Sequence, residues 1–310
     1  MSDHFPKLQR FSSLEVHRAL ILVFVAIALW YLSWWFDWSR AGSIILFGLL
    51  FVGELYHVWQ SLGYMHTIWR EEEVLPRRSK TSPPVDVFIT VCGEPVEIVA
   101  ATAKAAKNMI YPNFKVYILN DGYVANKANW QEIEDLGRRL DIAVITRTTP
   151  GGAKAGNVNH ALKKTSSPFF ALFDADHVPF SNFLEKLMGY MDDPQMALVQ
   201  SPQYYKNRHD SFLTEAAWEQ QELFFGPICQ GKNRLNATFW CGTNAIVRRE
   251  AIEEIGGVPE DNIAEDFLAS LFMHEHGWQS IFYPEILAEG LAPTDLRSYF
   301  NQQYRWARGS

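Results

Sequence analysis

The chain has no CxxC pair, no basic excess, no internal repeat and no low-complexity tract. Its three cysteines, Cys92, Cys229 and Cys241, are far apart and odd in number, which gives neither a zinc site nor a disulfide framework and suits a reducing compartment. Charged residues make up only 20% and sum to −7, so the clustered basic face that a duplex binder needs is missing and nucleic acid is excluded as a partner. An acidic total still leaves room for a local basic pocket that takes a phosphate. What the chain does have is length, 310 residues, and aromatics at 14%, many of them near the start.

Residues 19–36, "ALILVFVAIALWYLSWWF", carry no charge and come close to spanning a hydrocarbon core of ~30 Å as a helix. Trp30, Tyr31, Trp34 and Trp35 have the look of an interfacial belt. The run is too long for a signal peptide, lacks a small-residue cleavage site, and is apolar all round where a soluble helix would be amphipathic. A second run, 41–60, follows a short polar break and carries Glu54 and His57, polar groups that at such depth usually face other helices. Two spans joined so tightly predict a membrane hairpin. Lys7, Arg10 and Arg18 precede it and Arg70, Arg77, Arg78 and Lys80 follow it, against Arg40 alone in the turn, so both ends are expected in the cytosol of an inner-membrane, multi-pass protein. The expected organisation is a cytosolic segment at 1–18, two transmembrane helices within 19–64, a linker at 65–84 with paired prolines, and a cytosolic domain over 85–310.

From Val85 the pattern alternates. Apolar strands are expected at 85–91, 115–120, 142–147 and from Phe169 into Asp174-Ala-Asp176, with helices at 97–109, 129–140 and 154–165 between them. Near-continuous apolar strands alternating with helices indicate an α/β fold, a mostly parallel sheet covered on both faces. Ligands of such sheets sit at the carboxyl ends of the strands. Those ends carry Cys92-Gly93-Glu94-Pro95, Asn120-Asp121-Gly122 and Asp174-Ala-Asp176. Acids gathered on one rim repel one another unless a cation or donor-rich ligand sits there, and Mg²⁺ typically takes one or two carboxylates plus substrate phosphates. Asp176 has a second reading as the cap of a helix expected over "PFSNFLEKLMGYM".

Other stretches keep company with these acids. "GGAKAGNVN" offers Lys154 and Gly156 where a helix begins, an anion site or an ordinary glycine loop. "FWCGTNAIVRR" puts a small-residue turn with Cys241 before an apolar strand, and a plain β-turn explains it as well. Glu265-Asp266 opens an amphipathic helix, a position that favours acids anyway. Gln302, Arg305 and Trp306 in "QQYRW" share one helix face, as a phosphate-and-sugar clamp or as plain surface.

In this order, and after a membrane hairpin, the set resembles the processive family-2 glycosyltransferases, the bacterial cellulose synthase catalytic subunits, in which D, D-x-D, (T)ED and Q-x-x-R-W motifs recur. "GAKAGNVNHAL", "DADHVPF" and "FWCGTNA" are the close counterparts, and the likeness runs from about residue 15 onward. Two departures stand out: Ala264 where the third motif commonly has Thr, and Cys92-Gly93-Glu94-Pro95 where a tyrosine-containing form is usual. They leave the donor open among glucan, hyaluronan-like and N-acetylglucosamine polymers. The resemblance implies a GT-A fold, a UDP-sugar donor, a growing polysaccharide acceptor and Mg²⁺ or Mn²⁺. It implies Asp121 on the uracil, Lys154 on the diphosphate, and Asp174 on the ribose side or metal. It further implies Asp176 on the metal, Asp266 as general base, Gln302 and Arg305 on the diphosphate, Trp306 facing the acceptor, and Cys241 beside the growing end. Glu94 in the first motif joins the donor-binding set, and His177 stays outside the metal set. The family continues past Q-x-x-R-W with interfacial helices, further spans and a gating segment. A partial chain, with synthase or export subunits as further partners, is therefore the expectation, and such a piece keeps the donor pocket without secreting polymer.

An inverting transfer of this kind needs one carboxylate to take a proton from a weakly nucleophilic hydroxyl, and cations to offset charge on the leaving diphosphate. Two acids for a metal and a third for the base are present. A non-processive lipid-phosphate sugar transferase generally lacks Q-x-x-R-W. A binding subunit without catalysis would lack the base. A transporter needs more than two spans.

Overall fold

The computed structural model describes residues 14–70 and 74–309. Lys7 and Arg10, counted above toward orientation, lie outside the described residues, as does part of the expected linker at 71–73. Two long helices, α1 (Leu14–Trp35) and α2 (Ile44–Ile68), form a hairpin and are long and apolar enough to cross a membrane. Leu20, Trp30, Ile44 and Leu49 are exposed, so no protein core explains their apolarity. At the turn, Asp37 accepts hydrogen bonds from the amide (3.0 Å) and hydroxyl (2.6 Å) of Ser39, and Trp35 stacks on Phe47 at 5.0 Å. Helix α2 runs past residue 60, where the second apolar run was expected to end, and continues through Gly63 to Ile68 with no proline to stop it.

The domain opens with β1 (Val85–Val91), α3 (Val96–Lys107), β2 (Phe114–Asn120), α4 (Trp130–Leu140), β3 (Ala143–Thr146), α5 (Ala153–Leu162) and β4 (Phe169–Asp174), the expected alternation, with β1 as expected at both ends and no end moved by more than three residues. The helix expected over "PFSNFLEKLMGYM" is broken. After β5 (Val178–Pro179), only Phe183–Leu187 forms α6, and Met188–Asp192 is a 3₁₀ turn. Asn182 occupies the cap position, so Asp176 caps nothing there.

The chain continues through β6 (Met196–Gln200), β7 (Tyr204–Tyr205), α7 (Phe212–Leu223) and α8 (Cys229–Lys232). It then forms β8 (Ala245–Arg248), α9 (Arg249–Glu254), α10 (Glu265–Glu275), β9 (Gln279–Phe282), β10 (Ala288–Gly290) and α11 (Leu296–Gly309).

Seven strands make one sheet in the order β3-β2-β1-β4-β8-β6-β9. All neighbours are parallel except β8, which runs antiparallel to both β4 and β6. The period-two alternation of β1 and β4 decides what each face holds. Val85, Val87, Ile89, Ala171 and Phe173 pack under α3, α4 and α6, while Phe88, Phe170 and Leu172 pack against α5, α9 and α10. Asp174, two residues beyond Leu172, therefore emerges on the α5–α10 side. The remaining short strands β5, β10 and β7 make a small second sheet.

The hairpin is docked on this domain through the end of α2. Arg234 donates to the His66 carbonyl, and Gly231 lies so close to the Thr67 carbonyl that a Cβ would overlap it, while within the hairpin His17 Nε2 of α1 donates to the Ile68 carbonyl at 2.7 Å. These are the carbonyls a helix end leaves without an intrahelical partner.

Candidate active site

The parallel strands deliver their carboxyl ends to one rim, and β8, running the other way, delivers its amino end with the Cys241–Asn244 turn to that same rim. Gly242 sits in this turn at φ +78°, and Asn244 follows at φ +54°. A glycine suits the first position on two counts: its φ is left-handed, and a Cβ there would stand 2.8 Å from Asp266 Oδ2. The turn is further held by Gln200, which accepts from the Cys241 amide at 2.8 Å, and by Gln203, which donates to the Cys241 carbonyl at 2.6 Å.

Around Gly242 charged side chains of three elements converge, Lys154 of α5, Asp174 of β4 and Asp266 of α10. Lys154, in the first turn of α5, donates to Asp174 Oδ1 and to the Gly242 carbonyl at 2.8 Å. Asp174 also accepts from the Thr90 hydroxyl at 3.2 Å, and its amide donates to Thr243 Oγ1 at 2.9 Å. Asp266, at the start of α10, accepts from the Phe267 amide at 2.8 Å. Burial opposes the Lys154 charge, but Asp174, Glu265 and Asp266 outweigh it and raise its pKa. Burial pushes the Asp266 carboxyl above its ordinary value, further than the Phe267 amide and Lys154 pull it down. Glu265 is raised as well, by burial and then by Asp266. A carboxyl lifted in this way suits proton acceptance.

Asp176 stands two residues past Asp174, with the His177 ring at 3.0 Å. Burial works against its charge, yet the His177 ring and backbone donors outweigh it and hold the carboxyl below the usual range. The Asp174 and Asp176 side chains are 36% and 32% exposed, open enough to take a ligand. Among the described residues no three His, Cys, Asp or Glu side chains gather into a complete metal cage. Two hard carboxylates without a third fit a cation that arrives with phosphate oxygens.

At the neighbouring strand end, Asp121 is 6% exposed and its two oxygens accept from Arg147 Nε (2.7 Å) and Nη2 (2.6 Å). A cleft beside it is lined by Tyr123, Lys127, Trp130, Thr148 and Pro150. The Glu94 carboxylate turns back on its own turn and accepts from the Cys92 amide at 2.6 Å. Buried ion pairs do not by themselves mark the site: Asp86 pairs with Arg249 at 3.0 Å on the opposite rim.

Helix α11 leans on α7, where Tyr299 and Gln303 both bond Gln220 at 2.9 Å. Gln302 hydrogen-bonds the Tyr205 hydroxyl, whose pKa is pushed up to about 12, by burial first and in lesser part by Asp176. Arg305 is exposed and holds no ion pair among the described residues, and Trp306 is 42% exposed. The structure thus gathers Lys154, Asp174, Cys241 and Asp266 in one cluster with Asp176 at its edge, Asp121 and Glu94 at the next strand ends, and the α11 residues on a separate helix. Arg147, Thr243, Gln200 and Gln203 were not picked out from the sequence. The arginine ending an otherwise apolar strand was the one available signal among them.

Among solved structures, a mannosyltransferase from Pyrobaculum calidifontis, described in complex with GDP-Man and Mn²⁺, superposes with a TM-score of 0.62 at 17% identity, covering 94% of this chain and 73% of that one. S. aureus TarS 1-349 in complex with UDP-GlcNAc gives 0.51 at 15% identity, covering 68% and 59%. These likenesses establish a GT-A-like fold. In sequence, the chain is 36% identical to the cellulose synthase catalytic subunit [UDP-forming] of Xanthomonas axonopodis pv. citri, over 87% of this chain and 38% of that protein. It is also 36% identical to the cellulose synthase 1 catalytic subunit [UDP-forming] of Komagataeibacter xylinus, over 96% and 40%. The chain thus spans about two-fifths of the length of these relatives. The family model described as glycosyltransferase like family 2 matches residues 83–309, the whole domain behind the hairpin, and the chain belongs to that family.

Proposed function

We propose that the chain carries the donor site and general base of a membrane-bound, inverting glycosyltransferase that moves glucose from UDP-glucose to a growing β-glucan. One observation carries this reading: Lys154 bridges Asp174 to the Gly242 carbonyl while Asp266 faces the same glycine, so a cation, the carboxylate paired with it and a raised carboxyl share one rim. The names of the relatives, UDP-forming cellulose synthase subunits, support the donor and acceptor classes. The apolar hairpin and its flanking charges support a multi-pass, inner-membrane protein with the domain on the cytosolic side.

In this reading Asp266 takes the proton from the acceptor hydroxyl as that oxygen bonds to C1 of the sugar, and the bond from C1 to the diphosphate breaks. Its raised pKa is matched to that task. Lys154, Gln302 and Arg305 offset the charge on the departing diphosphate. Asp121 and Glu94 serve the nucleoside end, and Cys241 and Trp306 border the acceptor. Asp174 and Asp176 would hold Mg²⁺ or Mn²⁺, which supplies positive charge to the diphosphate.

The test is calorimetric titration of UDP into the detergent-solubilised chain, with Mg²⁺ or with EDTA, for wild type and Asp176→Asn. The expected outcome is binding that needs both the cation and Asp176. Equal affinity in EDTA, or in the variant, overturns the metal assignment.

A further inference from the structure

The Asp121–Arg147 pair carries more than a strand end needs. Arg147 is 5% exposed and grips Asp121 through two parallel N–H···O bonds. The same guanidinium donates from Nη1 to the Gly151 carbonyl and from Nη2 to the Ala153 carbonyl at 3.1 Å. Four of the five N–H groups a guanidinium owns are thus committed, half of them to a loop. That loop is one that does not hold itself: Gly151, Gly152 and Ala153 all have positive φ, at +131°, +63° and +41°. For alanine this conformation is strained and persists only when neighbours impose it. Gly156 completes the arrangement, because a Cβ there would overlap the Gly151 carbonyl and press on Arg147 Nη1. The residue after the strained alanine is Lys154.

We propose that Arg147 is a positioning residue: it locks the Asp121 carboxylate and the Gly151–Ala153 loop in one register, so that Asp121 and Lys154 address the two ends of the same nucleoside diphosphate. This deepens the donor-site reading above and rests on it. The pairing leaves Asp121 with lone pairs to spare, since a carboxylate offers about four acceptor positions and Arg147 uses two. Stability alone is a poor reason for such a pair, because a buried ion pair is often no better than an apolar one of similar size. Lysine cannot take over, since a single ammonium lacks the planar fork that reaches carboxylate and loop together.

The Asp86–Arg249 pair supplies the control. It is equally buried, it lies on the opposite rim, and its arginine reaches no residue proposed for the donor. UDP is titrated in Mg²⁺ into the solubilised full chain as wild type, Arg147→Lys, Asp121→Asn, the double variant of these two, and Arg249→Lys. Arg147→Lys and Asp121→Asn are each expected to weaken UDP binding about tenfold or more, and the double variant no further than the weaker single, as befits groups acting as one unit. Arg249→Lys is expected to lower Tm with UDP affinity kept within about twofold.

Hydrogen exchange without ligand reads the lock itself. Amides of 151–156 should exchange about tenfold faster in Arg147→Lys, with those of β1 and β4 unchanged. Gly156→Ala, which drives a methyl between the Gly151 carbonyl and the Arg147 guanidinium while leaving both charges of the pair in the chain, should reproduce both signatures, and it stands in if the arginine variant does not fold. Wild-type affinity and wild-type exchange in these variants, or additive losses in the double, overturn the proposal. Should wild type itself bind no UDP, the donor reading falls, and the exchange arm alone upholds or overturns the lock.

Discussion

Asp266 is half-buried at the head of α10, and its raised pKa has a consequence for stability as well as for the proton transfer proposed for it. A carboxyl lifted by folding is one whose charged form the fold disfavours. Above that raised pKa, Asp266→Asn should therefore raise Tm relative to wild type. The gain should vanish as pH falls below the ordinary aspartate value of 3.8, where the side chain is protonated folded or unfolded. Turnover should fall by ~10²–10⁴ in the same variant while UDP affinity holds. The acid limb of the wild-type pH–rate profile should lie above 3.8. Melting curves and rates across pH check both. The acids of this site stand out in the sequence because an apolar strand that runs into Asp174-Ala-Asp176 calls for a positive or donor-rich partner at its end. Their partners were not: a glycine carbonyl at 242 and a threonine hydroxyl at 243 become ligands of Lys154 and Asp174 only through the fold. Arg147 was the last residue of the strand expected over 142–147 and was given no role, since its burial is what sequence periodicity could not supply.

At the scale of elements, the docking of α2 hangs on the small size of Gly231. Gly231→Val should drive a side chain into the Thr67 carbonyl, a clash costing about 1–3 kcal/mol of overpacking or relieved by letting α2 lift away. Faster hydrogen exchange at 64–69, with the exchange of β1 and β4 unchanged, would register the lifting. The helices and strands from 85 to 174 were readable because each strand is a continuous apolar run between breakers. Strands β6 and β9 are five and four residues long, and the pairs in the small sheet are shorter still, below the length at which period two can be counted. The apolar character of β8 was visible, but its direction was not, since hydrophobicity is blind to which way a strand runs.

The molecule as a whole joins an apolar hairpin to a domain with an acidic rim. Alkaline carbonate washing of membranes containing the chain should leave it in the pellet, as expected for helices held in the bilayer rather than by surface charge; release into the supernatant would refute the hairpin's insertion. The reversed strand β8 has a further meaning for the rim. Everything assigned to the nucleotide except the α11 clamp comes from one unbroken stretch, Glu94 to Asp176, and everything assigned to the acceptor comes from Cys241 onward. The two stretches meet along the β4–β8 ladder, with Lys154 reaching across to a main-chain carbonyl, so the joint is written mostly in backbone and asks little of side-chain identity. A graft cut at that joint would carry the proposed nucleotide residues, those of α11 excepted, as one block and leave those proposed for the acceptor in their native setting.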